Sequence, residues 1–241
     1  AARNAFSSES MQGISDTLNQ LMDDVNVKGI VITGTGKFFC AGADIEEFQR
    51  CIDEGRIGPL VDNLTSILHP LQVRMRTDPT VLIAAMNGAA AGGGLGLALA
   101  CDARIAAPEA KLAAAFFKLG LSPDGGTTWL LPRLVGNQVT RRFFFNDEVW
   151  SGEEAQEKGA VDTVVAMDEL IDTAVDWAAN WGKWSQLSRS GTKQLLDAST
   201  STFFQTQLEF EQALIIAASQ TKEFEEGVTA FLEKRDPDFG S

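Results

Sequence analysis

Apolar residues in the first hundred positions follow two periods. Over residues 8–24 they recur every three or four positions, which predicts an amphipathic helix with the apolar positions Met11, Ile14, Leu18, Leu21 and Met22. Short runs rich in apolar and β-branched residues predict buried strands at 28–33, 81–86 and 103–107. Helical patterns lie between them, at 57–76 and 92–100 among others. This alternation is typical of an α/β fold with a mostly parallel sheet.

From about residue 138 the pattern becomes almost entirely helical. One further strand is predicted at 161–166, and helices are predicted at 138–146, 151–158, 168–181, 186–198, 202–219 and 222–234. No flexible linker marks the change. The sequence therefore predicts an α/β core at 1–137 followed by a helical C-terminal region at 138–241.

Composition narrows the classes of function. The chain has 241 residues, with 20 Lys plus Arg against 33 Asp plus Glu and a formal net charge of −13. This argues against nucleic-acid binding and against a basic membrane-surface protein, because both need cationic patches. Three cysteines without a CxxC pair and a single histidine predict neither a disulfide scaffold nor a metal site. No apolar run reaches the roughly 18 residues of a membrane span and no targeting peptide is recognisable, so we expect a cytoplasmic location.

A glycine-rich segment, Asn87-Gly-Ala-Ala-Ala-Gly-Gly-Gly-Leu-Gly96, follows a predicted strand and leads into an apolar helix. The first amides of a helix have no acceptor within it and lie at the positive end of its dipole, so they can stabilise an oxyanion. A second loop, Phe38-Phe-Cys-Ala-Gly-Ala-Asp-Ile45, can supply another amide to the same oxygen. The alternative is that the glycines only let the helix pack closely on the strand. The segment at Gly34 lacks the third glycine of a dinucleotide fingerprint, and there is no P-loop.

Four motifs in order along the chain resemble the crotonase (enoyl-CoA hydratase/isomerase) superfamily. They are Phe39-Cys-Ala-Gly-Ala-Asp44, Met86-Asn-Gly-Ala-Ala-Ala-Gly-Gly-Gly94, Ala100-Cys-Asp102 and Phe231-Leu-Glu-Lys-Arg235. The resemblance implies a core of ββα spiral turns with a C-terminal helical trimerisation region, assembled as a homotrimer or a dimer of trimers. It also implies that a coenzyme A thioester binds as substrate, without a separate cofactor. The main-chain N–H groups of Ala43 and Gly93 would form the oxyanion hole, with Gly92 beside them.

The acid/base groups of this superfamily vary from member to member. Its hydratases carry two Glu residues at positions where this chain has Gly96 and Phe116, so ordinary hydration is not expected. Asp124 remains, within Lys118-Leu-Gly-Leu-Ser-Pro-Asp-Gly-Gly-Thr-Thr-Trp-Leu-Leu-Pro-Arg133. This motif resembles the group related to phenylacetate-pathway enoyl-CoA isomerases, in which the Asp moves a proton between carbons. The alternative is that Asp124 caps the helix predicted at 127–134.

His69 keeps other activities open. In a dehalogenase of the superfamily, a catalytic His lies at a similar distance before the glycine run, and an Asp of the later loop is the nucleophile. A hydratase-like, dehalogenase-like or hydrolase-like enzyme using Asp124 with His69 is therefore an alternative to an isomerase. In another reading, His69 only lines the pocket. A further alternative is an acyl-CoA-binding protein without turnover.

The rest of the substrate is expected to contact residues from several parts of the chain. The remaining candidates for substrate binding are Arg3, Ala41, Asp44, Ile45, Phe116, Phe117 and Lys234. Arg3 and Lys234, the latter with Arg235, would offset the phosphate charges of coenzyme A. The resemblance implies that Asp44 and Ile45 offer backbone atoms to adenine. The two phenylalanines would form apolar walls.

Overall fold

The computed structural model describes residues 3–240. Strands within this range are β1 (Gly29–Thr33), β2 (Phe38–Cys40), β3 (Val81–Met86), β4 (Ala89–Ala91), β5 (Ala103–Ala106), β6 (Lys111–Ala113), β7 (Val149–Ser151) and β8 (Thr163–Val164). Helices are α1 (Ser8–Asp23), α2 (Ile45–Asp53), α3 (Ile57–Thr77), α4 (Gly93–Ala100), α5 (Thr127–Val135), α6 (Asn137–Phe145), α7 (Gly152–Lys158), α8 (Leu170–Gly182), α9 (Gln186–Ser199), α10 (Phe204–Ala218) and α11 (Lys222–Glu233). A short 3-10 helix spans Phe117–Leu119.

The strands form two four-stranded sheets, in the orders β1-β3-β5-β8 and β2-β4-β6-β7. The same unit occurs three times along the chain: a strand of the first sheet (β1, β3 or β5), then a strand of the second sheet (β2, β4 or β6), then a helix. All pairings are parallel except that of β6 with β7. This is the mixed α/β spiral of ββα turns that the resemblance implies, so the predicted fold class is confirmed.

The hydrophobic pattern predicts the first sheet but not the second. Its runs at 28–33, 81–86 and 103–107 coincide with β1, β3 and β5, whereas each strand of the second sheet has only three residues. Three residues are too few for an alternating pattern to be recognised. Both β7 and β8 lie after residue 137, so the sheets continue beyond the predicted end of the core.

Strand β3 is an inner strand of the first sheet, between β1 and β5. All six of its residues are buried. Val81, Ile83 and Ala85 belong to a cluster with residues of α8, whereas Leu82, Ala84 and Met86 belong to the larger core. A parallel strand covered on both faces reads as a continuous apolar run, which explains its sequence Val-Leu-Ile-Ala-Ala-Met.

The C-terminal helices pack unequally on this core. Helix α9 is held by a nearly buried ion pair, because Lys193 Nζ lies 2.7 Å from an Asp102 carboxylate oxygen and the two side chains are 10% and 12% exposed. Helix α10, in contrast, has no buried residue. Within residues 3–240, none of the helices combines the length and hydrophobicity needed to cross a bilayer.

Candidate active site

A cavity of about 590 Å³ opens where β2 and β4 end, beside α2 and α3. Its volume is typical of a pocket for a small organic ligand. Most of its lining is hydrophobic, with side chains of Phe6, Met11, Phe48, Val61, Leu64, Leu68, Phe116, Leu119, Leu121 and Val149. Such a wall excludes water and strengthens the electrostatic effect of each polar group that faces the cavity.

The first polar group is the main-chain amide of Ala43. Phe6 forms a parallel bridge with this residue: the Phe6 N–H donates to Gly42 O at 2.7 Å, and the Asp44 N–H donates to Phe6 O at 3.0 Å. Because consecutive N–H groups of an extended chain point to opposite sides, the Ala43 N–H points away from Phe6. No acceptor for it occurs among residues 3–240. This amide is therefore available to a ligand.

The second polar group is the amide of Gly93, the first residue of α4. Gly92 precedes it with φ +54°, a conformation that glycine adopts readily, and donates its own N–H to Ala114 O at 3.2 Å. The first N–H groups of a helix have no acceptor within the helix and carry its positive partial charge. The glycine run thus presents unpaired donors at the wall of the cavity.

The two loops touch. A Cβ added to Gly42 would lie 2.8 Å from Ala91 O and 3.6 Å from the Gly92 Cα. Ala43 and Gly93 directly follow these neighbouring segments, and both line the cavity. The Asn87 side chain supports this arrangement: it accepts from the Gly34 N–H at 3.0 Å and donates to Gly36 O at 2.9 Å. It thereby ties the loop before β2 to the segment that leads to the glycine run.

Asp124 faces the same cavity from the loop before α5. Its Oδ1 lies 2.7 Å from His69 Nε2 of α3, and the two side chains are 39% and 50% exposed. The Asp124 side chain does not cap α5, because the N-cap residue is Gly126 and no side chain bonds to that helix end. Asp124 contributes its main-chain oxygen instead, accepting from Thr127 Oγ1 at 2.8 Å. Its carboxylate is left for His69 and the cavity.

The two positions at which hydratases carry Glu are filled differently here. A Cβ on Gly96 would lie 2.1 Å from Gly125 O, so the loop that carries Asp124 occupies the space of any side chain at 96. Phe116 is buried and lines the cavity with its ring. Among the described residues, the other carboxylate on the cavity wall is Asp147, which is paired with Lys118 Nζ at 2.6 Å.

The remaining predicted substrate-binding residues divide into two groups. Ala41, Ile45 and Gly92 line the cavity. Arg3 lies next to it: its carbonyl accepts from the Ala41 N–H at 3.1 Å, and its guanidinium lies 5.8 Å from the Phe38 ring centroid.

The second group does not reach the cavity wall. Phe117 instead makes an edge-to-face contact with Phe145 of α6, with ring centroids 5.4 Å apart. Lys234 ends α11 with φ +58°. Its neighbour Arg235 is already paired with Glu226, and hydrogen bonds from this arginine lower the pKa of the Glu226 carboxyl to about 2.

Asp44 does not have a free backbone donor. Its N–H is bonded to Phe6 O, and its carboxylate caps α2 by accepting from the N–H groups of Glu46 and Glu47. The Asp44 N–H is therefore not available to a ligand, and the expectation that Asp44 and Ile45 offer backbone atoms to adenine stays a prediction. Ile45 lines the cavity and is 51% exposed.

Several residues on the cavity wall or directly behind it were not predicted from the sequence. Leu64 and Leu68 of α3 line the cavity, and Gln72 one turn further on donates its Nε2 to Gly125 O at 2.9 Å. Their spacing of four predicts one buried helix face. It does not distinguish residues that face a cavity from residues that face the core.

A spiral of ββα turns with two unpaired amides and one carboxylate without a Lys or Arg partner on an apolar cavity defines a site suited to stabilising an enolate. The comparisons agree with this class. Residues 1–241 match the family model described as Enoyl-CoA hydratase/isomerase, and the chain belongs to this family.

The chain is similar both to a protein named as an isomerase and to proteins named as hydratases. The 1,2-epoxyphenylacetyl-CoA isomerase of Escherichia coli (strain K12) is 36% identical over 239 residues, covering 98% of this chain and 90% of that protein. The 2,3-dehydroadipyl-CoA hydratase of the same organism is 32% identical, covering 99% and 91%. The crystal structure of an enoyl-CoA hydratase from Polaromonas sp. JS666 superposes with a TM-score of 0.90 at 30% identity, covering 98% and 91%. Family membership by itself therefore leaves the choice between hydratase and isomerase to the residues of the site.

Proposed function

We propose that the protein is an enoyl-CoA isomerase that shifts a C=C bond of an acyl-CoA thioester, with Asp124 as the acid/base. The observation that supports this best is that a single carboxylate without a cationic Lys or Arg partner faces the cavity, next to two unpaired amides. A proton shuttle between two carbons needs one such base. Hydration needs further groups that position water, and positions 96 and 116 carry none.

The reaction would follow from the geometry in two steps. The amides of Ala43 and Gly93 donate hydrogen bonds to the thioester carbonyl oxygen and stabilise the negative charge that develops on it. Asp124 removes a proton from the carbon next to the carbonyl or from its vinylogous position, which gives a dienolate. The same carboxyl then returns the proton to the other carbon, so atoms and charge balance. His69 contacts Oδ1 of Asp124, which leaves Oδ2 of this carboxylate to take up the proton.

Coenzyme A would enter as part of the substrate, without a separate cofactor. Arg3 lies beside Ala41 at the edge of the cavity, where a cation offsets phosphate charge in a chain with a net charge of −13. We propose Ala41 and Ile45 as the contacts for the nucleotide end and Phe116 as a wall for the acyl group. Lys234 and Phe117 lie outside the cavity wall and are not among the proposed substrate contacts.

The test is turnover of a panel of 3-enoyl-CoA and 2-enoyl-CoA thioesters by Asp124→Asn. We expect isomerisation, followed by absorbance and by chromatography of the products, to fall by about 10²- to 10⁴-fold. Acyl-CoA binding should persist. Asp168→Asn, an exposed carboxyl before α8, is the matched control and should keep full activity. Retained turnover in Asp124→Asn would remove this residue from the mechanism, and binding by the unchanged protein without any turnover would favour an acyl-CoA-binding protein.

A second candidate is a hydrolase or dehalogenase in which Asp124 attacks the substrate and His69 activates water. The 2.7 Å contact between His69 Nε2 and Asp124 Oδ1 favours it, because a nucleophile with an adjacent base has this geometry. His69→Ala separates the two candidates. Isomerisation should survive with a reduced rate, whereas release of free acid or halide should stop. Single turnover in ¹⁸O-labelled water would leave label in the Asp124 carboxylate by the nucleophilic route alone.

We propose a homotrimer or a dimer of trimers as the assembly. The support is that α10 has no buried residue although it carries Phe204, Phe210 and Ile215, which are 78%, 46% and 69% exposed. Apolar side chains at this density usually mark an interface.

A further inference from the structure

Gln72 is a buried polar residue that the proposed chemistry does not yet use. It lies on the inner face of α3 among Leu68, Leu71 and Met75, and only 8% of it is exposed. Its Nε2 donates to the carbonyl oxygen of Gly125 at 2.9 Å. Polar side chains are buried at a cost unless they are hydrogen-bonded, so this contact determines where the Gly125 carbonyl lies.

His69 lies three residues before Gln72 and therefore on the same side of the helix. It contacts the Asp124 carboxylate, so α3 holds two consecutive residues of one loop: Asp124 by its side chain and Gly125 by its main chain. We name these two side chains, His69 and Gln72, the α3 clamp. The loop needs external contacts because Gly125 and Gly126 both have positive φ, +61° and +70°, and glycines restrict the chain least.

The clamped loop rests directly on the helix that carries the oxyanion donor. A Cβ on Gly125 would lie 3.4 Å from the Gly93 Cα and 3.5 Å from the Gly96 Cα. The position of Gly125 therefore sets the distance from the Asp124 carboxylate to the thioester oxygen bound at Gly93. Proton transfer is sensitive to such distances, and a displacement of about 1 Å can reduce the rate by about 100-fold.

We infer that Gln72 is a positioning residue for the proton transfer, and that with His69 it holds Asp124 in register with the amide of Gly93. This inference rests on the proposed role of Asp124. Gln72 does not touch the cavity, so it acts on turnover through Gly125 and leaves substrate binding unchanged.

The variant that tests the inference is Gln72→Met, which keeps the length of the side chain and removes the donor. We expect kcat to fall by about 10- to 100-fold with KM within about twofold of the unchanged enzyme. Hydrogen–deuterium exchange of the amides at 122–127 should become faster, because the loop loses one of its two anchors. Gln156→Met, an exposed glutamine of α7, is the matched control and should change neither.

The double variant with His69→Ala tests whether the two side chains act as one clamp. We expect the fall in kcat of the double variant to differ from the product of the two single effects, since both act on the same loop. Unchanged kcat in Gln72→Met, or a rise in KM equal to the fall in kcat, would overturn the inference. So would unchanged exchange at 122–127.

The two proposals fail in different ways. If Asp124→Asn is inactive and Gln72→Met has the kcat of the unchanged enzyme, the clamp is overturned and the proposed function stands. If Asp124→Asn retains turnover, the proposed function fails and the positioning role fails with it. Exchange at 122–127 then still reports whether Gln72 anchors the loop.

Discussion

Gly96 and Gly125 are in contact, backbone to backbone, beside the Asp124 carboxylate. Because the added Cβ at 96 would lie 2.1 Å from Gly125 O, a side chain at 96 and the present position of Asp124 exclude each other. The absent hydratase carboxylate at 96 and the presence of Asp124 are thus one structural feature. This chain has glycine at 96 and Asp124 on the cavity, and a single carboxylate of this kind suits the proposed shuttling of one proton.

The first prediction concerns these glycines. Gly96→Ala should lower the free energy of unfolding by about 1 to 3 kcal/mol, because the methyl group overlaps backbone that cannot move aside freely. It should also reduce isomerase turnover, since Asp124 moves with Gly125. Gly13→Ala is a matched control on helix α1, where a Cβ meets nothing within 4 Å. It should stabilise the protein by roughly 0.5 to 1 kcal/mol. Urea unfolding measures the free energy of unfolding of both variants. Equal changes in Gly96→Ala and Gly13→Ala would contradict the prediction.

At the scale of elements, α3 and α9 connect the site to the C-terminal region. Helix α3 carries the α3 clamp on one turn and Arg76, paired with Asp197 of α9, near its end. Helix α9 supplies Lys193, whose Nζ reaches Asp102 and also Thr80 O at 2.7 Å. Burial raises the pKa of the Asp102 carboxyl, with Lys193 opposing this effect. The Asp102 of the Ala-Cys-Asp motif thus anchors a helix.

Lys193→Met should therefore destabilise the fold by about 3 to 5 kcal/mol at neutral pH, because it leaves the Asp102 charge buried without its partner. The deficit should shrink as the pH falls. A carboxyl whose pKa is raised by folding binds a proton more tightly in the folded state, so its cost begins to fall as the pH drops through the raised pKa and is gone below the pKa of the unfolded chain. Arg56→Met removes a solvent-exposed pair with Glu54 and should leave the stability of the fold nearly unchanged, because water screens this pair. A deficit that is independent of pH would contradict this account.

At the scale of the whole molecule, the exposed apolar side chains of α10 and α11 contrast with the charged surface elsewhere. Phe231 and Leu232 are 82% and 74% exposed on α11, within the motif that resembles the end of the superfamily sequences. A chain with a net charge of −13 tends to stay dispersed, so the proposed assembly depends on such local apolar surface.

We expect light scattering after gel filtration to give three or six times the 26.0 kDa of one chain. The double substitution Phe204→Glu with Phe231→Glu should reduce this mass towards that of one chain, because charge would be buried at the interface. Val25→Glu, an equally exposed apolar position after α1, should leave the assembly unchanged. A monomeric unchanged protein would contradict the proposed assembly.

The sequence by itself determined the elements whose signal is local. The helices α1, α3 and α9 and the strands β1, β3 and β5 follow from hydrophobic periodicity, and the motifs around Ala43 and Gly93 are among those that indicate the family. Hydrophobic periodicity indicates which face of a helix or strand is buried. A glycine-rich motif indicates where main-chain N–H groups are available. Both signals come from residues that are close in sequence.

Contacts between distant residues were decided only by the tertiary structure. The second sheet pairs three-residue strands such as Ala89–Ala91 with Lys111–Ala113, and no local pattern marks so short a pairing. His69 meets Asp124 across 55 positions, and Gln72 meets Gly125 across 53. The steric exclusion between Gly96 and Gly125 likewise depends on how α4 packs against the loop. Such packing fixes angstrom-scale distances that carry no local signal, and the proposed proton transfer depends on those distances.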